Sequence, residues 1–368
     1  MKSRLFNLAI VTLSIVVTLI FGEFAARLFL DPIDFLMPAL SKDSNLGHRI
    51  IPFSANHDAW GFRNTHVPEQ ADIITIGDSQ TYSLSSTHKS SWPVLYSKQT
   101  NQTVYNLSLG GYGPGQYNWL LNNLAFKLKP KHILYCVYLG NDLMDAFNYV
   151  YSNDNLKSLQ DPALRTDPKQ ETKAIHPKKR FASLRNTLAN KSVIYRALTQ
   201  HVLVGLKNRI NVHETPEKHR LDVKDSSGDT LTVITSARVR HFAMNLKKKE
   251  IQEGKMLTKA FIIAAKKACQ SRDIAFTVLL IPTKISAYEI PLRRSQMLPK
   301  KIKHILNYES QIKTDLSRFL TKHRIDHIDL LPVLQKAVSE KKAIYPLVDG
   351  HLNKAGNTIV ANYLSKQP

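Results

Sequence analysis

An apolar, strand-forming run, Ile73-Ile74-Thr75-Ile76, stops at Gly77 and leads directly into Asp78-Ser79-Gln80. A strand that ends at a glycine turn can hold a serine hydroxyl clear of the sheet edge, where a substrate carbonyl can reach it. That is the placement nucleophilic acyl chemistry needs. Three further sets of residues follow in order: Gly110-Gly111-Tyr112-Gly113, then Gly140-Asn141-Asp142 after a second apolar strand, then Asp349-Gly350-His351 near the C-terminus. A Gly-Asp-Ser triplet alone is common in ordinary turns, so the weight rests on the ordered set.

That ordered set resembles the SGNH hydrolases, the GDSL-like lipase and acylhydrolase family, and within it the membrane-anchored bacterial branch. The four family blocks fall on Ser79, Gly111, Asn141 and His351, and the resemblance runs from Ala71 to Leu364 with a long non-matching stretch in the middle. A serine hydroxyl is nearly inert at neutral pH and needs a base for its proton and donors for the oxyanion. By the resemblance, His351 is the base and Asp349 orients it, while the Ser79 and Gly111 amides and the Asn141 side chain form the oxyanion hole. Gly110 rivals Gly111 for the turn. Asp78 reads as a local turn acceptor and Asp142 as a helix-start residue. Only Gly350 separates Asp349 from His351, where many members have two intervening residues. This spacing resembles the alginate-type polysaccharide O-acetyltransferases of the superfamily. Of the other histidines, His57, His66, His88 and His219 sit in polar contexts and are expected to be solvated.

The resemblance implies an esterase or acylhydrolase that removes acyl groups, above all acetyl, from an exported glycan, cell-wall polymer or lipid. The alternative is an O-acetyltransferase using the same serine, supplied by a membrane acyl-donor protein. A non-catalytic envelope assembly protein is the third reading. No cofactor is implied. Neither a CxxC nor an HExxH pattern occurs, so metal binding has no support. Cys136 and Cys269, the two cysteines, read as small core residues, and nothing in their spacing argues for a disulfide.

With 368 residues, 43% hydrophobic and 22% charged, the composition is that of a globular protein with a sizeable core. Its opening differs. Leu5–Gly22 is a charge-free run of 18 residues, about 27 Å as a helix and close to a bilayer's hydrocarbon thickness. Lys2 and Arg4 precede it, which orients the N-terminus to the cytoplasm and the remainder to the periplasmic side of a bacterial inner membrane. A cleaved signal peptide shares this layout, but no small-x-small site follows the run. The formal charge of +22 is uneven: Ser236–Lys303 carries 16 Lys/Arg against 4 Asp/Glu. An export anchor removes nucleic acid as a partner and leaves anionic lipid headgroups or acidic glycans.

The elements that must position the site alternate. Strands are expected at Asp72–Ile76, Thr103–Leu107, Ile133–Leu139, Ile274–Ile281 and Ile325–Ile328. Helices are expected at Trp92–Thr100, Gln116–Leu128, Ser236–Gln270, Ser310–His323 and Lys354–Leu364. The fold class is therefore α/β, a doubly wound parallel sheet sandwich with an N-terminal transmembrane helix, and the resemblance implies that it is flavodoxin-like, of SGNH type. Its organisation is an anchor over 1–30, a polar connector over 31–70, and a hydrolase-like domain over 71–368. An insertion at about 146–235 reads as helical, a lid or mobile segment, with short apolar pieces such as His201-Val202-Leu203-Val204. Ser79, Gly111 and Asn141 each follow a strand, so all three fall at one sheet edge.

Overall fold

The computed structural model describes residues 2–164, 182–199, 219–224, 230–294 and 298–367. The chain divides into two compact units. One draws on Met1–Ser41, Ile50–Gly61 and Thr172–His213, the other on Lys42–Arg49, Phe62–Glu171 and Glu214–Pro368.

The second unit is built on a five-stranded parallel sheet: β1 (Ile73–Gly77), β2 (Val104–Ser108), β3 (His132–Tyr138), β4 (Ala275–Ile281) and β5 (Asp326–Asp329). The order across it is β2-β1-β3-β4-β5. The direction of winding reverses between β1 and β3, and in such open sheets the crevice outside the strands' carboxyl ends is where ligands bind. Every residue of β1 is buried, and all but the first of β3, which explains their unbroken apolar runs: both faces are covered by helices. Gly77 lies opposite Ser108, and Ile76 opposite both Leu107 and Tyr135. β1 and β2 end level, at Gly77 and Ser108, and β3 runs on to Tyr138 against β4, so the turns carrying Ser79, Gly111 and Asn141 all leave from the carboxyl edge of the sheet.

Covering helices include α2 (Trp92–Thr100), α3 (Pro114–Asn123), α4 (Asp142–Tyr151), α5 (Ala237–Ala243), α6 (Lys249–Gln270), α7 (Lys300–Lys322), α8 (Leu331–Ser339) and α9 (Lys354–Leu364). The helices expected at Trp92–Thr100 and Lys354–Leu364 are observed with those bounds. The long helix expected over Ser236–Gln270 is instead two, α5 and α6. The break falls at Asn245, whose carbonyl accepts from the Lys248 amide at 2.9 Å and whose side chain accepts from Lys247 N at 3.1 Å. An asparagine that captures nearby backbone amides offers the chain a turn in place of helix. The helix expected from Ser310 starts ten residues earlier, at Lys300, because Ile302, Ile305 and Leu306 continue the buried stripe through a lysine-rich surface. The expected Gln116–Leu128 helix begins at Pro114 and passes into a 3₁₀ turn over Ala125–Leu128.

The region expected to be a helical insertion is not purely helical. It opens with most of α4, contains helices at Ala182–Lys191 and Val193–Arg196, and ends in an antiparallel hairpin pairing His219–Lys224 with Thr230–Thr235. The His201–Val204 piece and the expected mobile lid lie outside the described residues. Cys136 and Cys269 are both free and buried.

The first unit contains α1 (Lys2–Phe29). Ser3–Phe29 is long and apolar enough to cross a membrane, with a mean hydropathy of 2.4 over its most apolar stretch, none of which is buried. Its far end is engaged within its own unit. Glu23 accepts from the Ser192 hydroxyl at 2.9 Å and from the Val193 and Ile194 amides at 2.8 and 3.2 Å, capping the Val193–Arg196 turn. Arg27 pairs with Glu23 at 2.9 Å and donates to Lys191 O at 2.6 Å. Ala26 and Leu30 pack with Phe35 on a small core of Leu36, Ala55 and Val193.

In the second unit α6 crosses α4 closely at Gly254, where a Cβ would stand 1.8 Å from the Leu143 carbonyl oxygen and 3.4 Å from the Phe147 Cβ. Backbone cannot yield as a flexible side chain can. Gly254→Ala is expected to destabilise the unit by about 1–3 kcal/mol, the range for overpacking a close contact. Calorimetry or thermal circular dichroism should show a midpoint several degrees lower; an unchanged midpoint would contradict this packing.

Candidate active site

Ser79 opens a one-turn helix, Ser79–Tyr82, directly after β1. Asp78 caps that turn, its Oδ1 accepting from the Gln80 amide at 2.9 Å. Gly77 is needed where strand becomes turn, since a Cβ there would meet Thr81 Oγ1 at 2.3 Å. The Ser79 hydroxyl is half-buried and lies 2.8 Å from His351 Nε2, joining positions 272 residues apart. On the far side of the ring, His351 Nδ1 stands 2.7 Å from Asp349 Oδ1. A proton on Nδ1, held by the carboxylate, leaves Nε2 as the acceptor that faces the serine. Ser79 Oγ is also 3.3 Å from Asp78 Oδ2, a longer contact than that to His351.

The two carboxyls near the serine are poised differently. Burial pushes Asp349 up, but the His351 side chain, its charge, its backbone amide and the Ser85 hydroxyl outweigh it and hold the carboxyl well below the usual range. Ser85 Oγ and His351 N contact Asp349 Oδ1 at 2.8 and 2.7 Å. Asp349 is therefore a carboxylate at neutral pH. Asp78 is fully buried, and that burial raises its carboxyl despite hydrogen bonds from Gln80 and Ser79 and the charges of His351 and Arg240. Its place as a turn cap is what the sequence suggests.

The loop that presents His351 is pinned from three sides. The buried Lys284 donates to the carbonyls of Pro346 and Leu347 at 2.8 Å each and of Asp349 at 3.2 Å. Thr283, which caps the Lys284 turn, is held through its amide by the buried Glu309 at 2.7 Å. Gln80, the residue after the serine, donates to Gly350 O at 3.1 Å. Asn357 on α9 is fully buried, accepting from Ser83 Oγ at 2.9 Å and Trp92 N at 3.1 Å. Arg63 grips the turn after Ser79–Tyr82, donating to the carbonyls of Tyr82, Ser83 and Ser86 at 3.2, 3.1 and 3.0 Å. None of Lys284, Gln80, Ser85, Asn357 or Arg63 is singled out as a functional residue by the sequence. Their signal there is weak because each acts by meeting a carbonyl or hydroxyl whose position only the fold defines.

Opposite the imidazole, the amides of Ser79 and Gly111 donate to no acceptor among the described residues. Gly111 has φ +83°, so of the rival glycines it is the one whose backbone requires the type. Gly110 packs on the serine, where a Cβ added to it would lie 3.5 Å from Ser79 Cβ. His48 reaches this turn from the region expected to be a connector. Its Nε2 lies 3.0 Å from Gly110 O, and its carbonyl accepts from Tyr112 Oη at 2.7 Å.

Asn141 caps α4 by position, and its amide is engaged at both ends. Its Nδ2 donates to the Asp145 carboxyl, and its Oδ1 accepts from Arg240 Nη1 at 3.3 Å. The second Nδ2 hydrogen meets no acceptor among the described residues. Asp142 is buried, accepting from Tyr138 N at 3.0 Å and Tyr117 Oη at 3.1 Å, and burial with the nearby Asp78 and Asp145 charges raises it well above the carboxylate range. Burial pushes Asp145 up to about 7, against the Asn141 hydrogen bond and the Arg240 charge.

The structure thus brings Ser79, His351 and Asp349 into one hydrogen-bonded chain and sets Gly111 and Asn141 on turns at the same sheet edge. Two histidines expected to be solvated are not: His57 is 2% and His88 7% exposed. His57 Nδ1 binds Ser54 O at 2.9 Å, a local turn contact that sequence polarity hides. His66 is exposed, and the side chain of His219 lies outside the described residues. Among the described residues no group of three or more candidate ligands could hold a metal ion.

No family model and no curated protein matches the chain. Solved structures do. An extracellular lipase from Streptomyces rimosus aligns at 12% identity and a TM-score of 0.40, covering 80% of this chain and 99% of that one. Phospholipase A1 from Streptomyces albidoflavus aligns at 9% identity and a TM-score of 0.39, covering 80% and 99%. A GDSL-like lipase from Bacteroides thetaiotaomicron aligns at 10% identity and a TM-score of 0.35, covering 80% and 85%. At such values the likeness lends nothing to an assignment of activity, which must come from Ser79, His351 and Asp349 themselves.

The raised Asp145 carboxyl has a pH signature. An unfolded aspartate titrates near 3.9, so between about 4 and 7 the native state binds a proton that the unfolded state has released. That contribution to stability is complete below the lower value and is lost as pH rises through the upper one. Between pH 5 and 8 the thermal midpoint of the native chain should therefore fall more steeply than that of Asp145→Asn. Parallel profiles for the two proteins would show that Asp145 titrates normally.

Proposed function

We propose that this chain is a serine-dependent acyl-ester hydrolase. The observation that carries the reading is the chain of contacts Ser79 Oγ–His351 Nε2–Asp349, at 2.8 and 2.7 Å. In the proposed reaction Ser79 Oγ attacks the ester carbonyl carbon while His351 Nε2 takes the hydroxyl proton. The Asp349 carboxylate stabilises the imidazolium that results. The oxyanion falls between the Ser79 and Gly111 amides and the free Nδ2 hydrogen of Asn141, and one such donor is typically worth about 3 kcal/mol in the transition state. Collapse breaks the C–O bond, and the imidazolium gives its proton to the leaving alcohol. Water then adds to the acyl-serine by the same route, releasing the acid and restoring the serine.

The substrate class we assign is an acylated, chiefly acetylated, glycan, cell-wall polymer or lipid outside the cytoplasm. Retention at a bacterial inner membrane by α1, with the site on the periplasmic side, completes the proposal. It is supported by the apolar Ser3–Phe29 helix after Lys2, and by the use of Glu23, Ala26 and Arg27 inside the first unit, contacts that cleavage beyond Arg27 would remove.

The test is hydrolysis of an aryl acetate by the full-length chain. Ser79→Ala and His351→Ala should each lower kcat roughly 10⁴-fold or more, and the double variant should be no worse than either, because the two act as a unit. Additive losses, or a Ser79→Ala protein that keeps its rate, would overturn the mechanism. Added oligosaccharide should leave acetate release unchanged; acetylated sugar formed at the expense of acetate would show transfer instead of hydrolysis.

A further inference from the structure

Arg240 sits on α5, outside every motif that marks the site, yet its guanidinium stands against the oxyanion turn. Nη1 donates to Gly140 O at 3.1 Å and Asn141 Oδ1 at 3.3 Å, and the guanidinium carbon lies 5.0 Å from the centre of the Tyr138 ring. These contacts use a single nitrogen. The Nε hydrogen and both Nη2 hydrogens meet no acceptor among the described residues, and no described carboxylate forms a salt bridge with this residue. The side chain is only half-buried, so that edge remains reachable.

An arginine tied to a carboxylate would be a structural ion pair, but among the described residues the carboxyls whose fields reach Arg240 make no hydrogen bond or salt bridge to it. They are Asp78, Asp145 and Glu309, and burial raises each of them. The surrounding field is positive as well. His241, the next residue, is pushed down by burial and then by the neighbouring His304, Lys301 and Lys248. Arg240 also lies within the Ser236–Lys303 segment that holds 16 Lys/Arg against 4 Asp/Glu. Such a field concentrates anions near the cleft.

A planar guanidinium with one edge pinned and the other open has the geometry that takes a carboxylate or phosphate through two parallel hydrogen bonds. The pinned edge is one hydrogen bond from Asn141, so an anion on the open edge lies within roughly 10 Å of an acyl carbonyl held by Asn141, two hydrogen bonds and two planar groups away. At that separation both groups fit on one substrate molecule. Building on the acyl-ester hydrolase reading, we propose that Arg240 is a substrate anion receptor and that the ester this site takes carries a carboxylate or phosphate close to its acylated oxygen. An acetylated uronic acid unit of a glycan and an acylated glycerol phosphate of a lipid or polymer both supply that chemistry.

Three esters separate the possibilities: an O-acetylated methyl hexoside, its hexuronic acid counterpart, and O-acetyl glycerol phosphate. Acetate release is followed for the full chain and for Arg240→Ala and Arg240→Lys. The native protein should prefer at least one anionic ester over the neutral one, and whichever anionic ester leads identifies the source. Arg240→Ala should lower kcat/KM for that ester roughly 10–100-fold more than for the neutral one, mostly through KM, the scale of a lost charge-assisted hydrogen bond. The neutral ester should lose only the smaller, shared part that comes from a less firmly held Asn141. Arg240→Lys should recover part of the anionic preference. Equal losses on all three esters would reduce Arg240 to a positioning residue for Asn141 and overturn the proposal, as would a native preference for the neutral ester.

Should the native protein hydrolyse none of the three, the hydrolase reading fails separately, and the receptor is judged by binding. Titration calorimetry of Ser79→Ala with the uronic ester and with glycerol phosphate should give heat that Ser79→Ala/Arg240→Ala lacks. Absence of binding in both proteins would sink the receptor as well.

Discussion

The contact on which everything else depends is the 2.8 Å approach of His351 Nε2 to Ser79 Oγ. The two residues enter from opposite ends of the folded chain, and neither is rigid alone. Ser79 stands on a single helical turn, and His351 on a loop whose glycine, Gly350, meets nothing within 4 Å of a hypothetical Cβ. Holding a loop side chain within hydrogen-bonding distance requires that its backbone be fixed from elsewhere. Lys284 does this through three carbonyls, and Gln80 through a fourth, while Arg63 and Asn357 fix the serine's own turn. Much of the buried polar apparatus of this unit thus serves one distance. A buried ammonium or guanidinium left without such acceptors would cost several kcal/mol, so the carbonyls and cations specify each other.

The two sides of the serine are electrically distinct. On the imidazole side a single carboxylate, Asp349, is held ionised by hydrogen bonds that outweigh its burial. On the side of the Gly111 and Asn141 turns the carboxyls Asp78, Asp142 and Asp145 are all pushed upward by burial. Burial disfavours the charged form of a carboxyl, so all three are shifted in the direction that lessens negative charge on this side of the serine. One cleft thus holds, within a few side chains, a carboxylate kept ionised beside an imidazole and a group of carboxyls shifted the other way. Asn141 lies at the join, its amide held between Asp145 and Arg240.

How much of this was legible in the sequence follows from the range of the forces involved. The sheet was, because β1 and β3 are buried on both faces and local composition alone marks such strands; their observed bounds differ from expectation by a single residue at each end. The meeting of Ser79 with His351 and Asp349 rested on the order of four short motifs, and the structure places those three side chains in contact. What escaped was set by tertiary geometry. Lys284 looks like a surface cation in a chain of net charge +22, and Arg63 lies in a Gly61-Phe62-Arg63 element that the family resemblance includes without giving it chemistry; nothing local shows that carbonyls surround either. His48 lies in a polar stretch that reads as linker, yet it binds Gly110 O. The Ser236–Gln270 pattern hides the break at Asn245, because the five residues Met244–Lys248 between the two helices carry no glycine or proline to mark a turn.

The claim that this geometry activates Ser79 is tested most directly by covalent capture. A fluorophosphonate probe, followed by peptide mass spectrometry on the folded full-length chain, should modify Ser79 and spare the other serines, with labelling lost in His351→Ala. A folded protein whose Ser79 stays unmodified under conditions that label an ordinary serine esterase, or one labelled equally well without His351, would contradict the account.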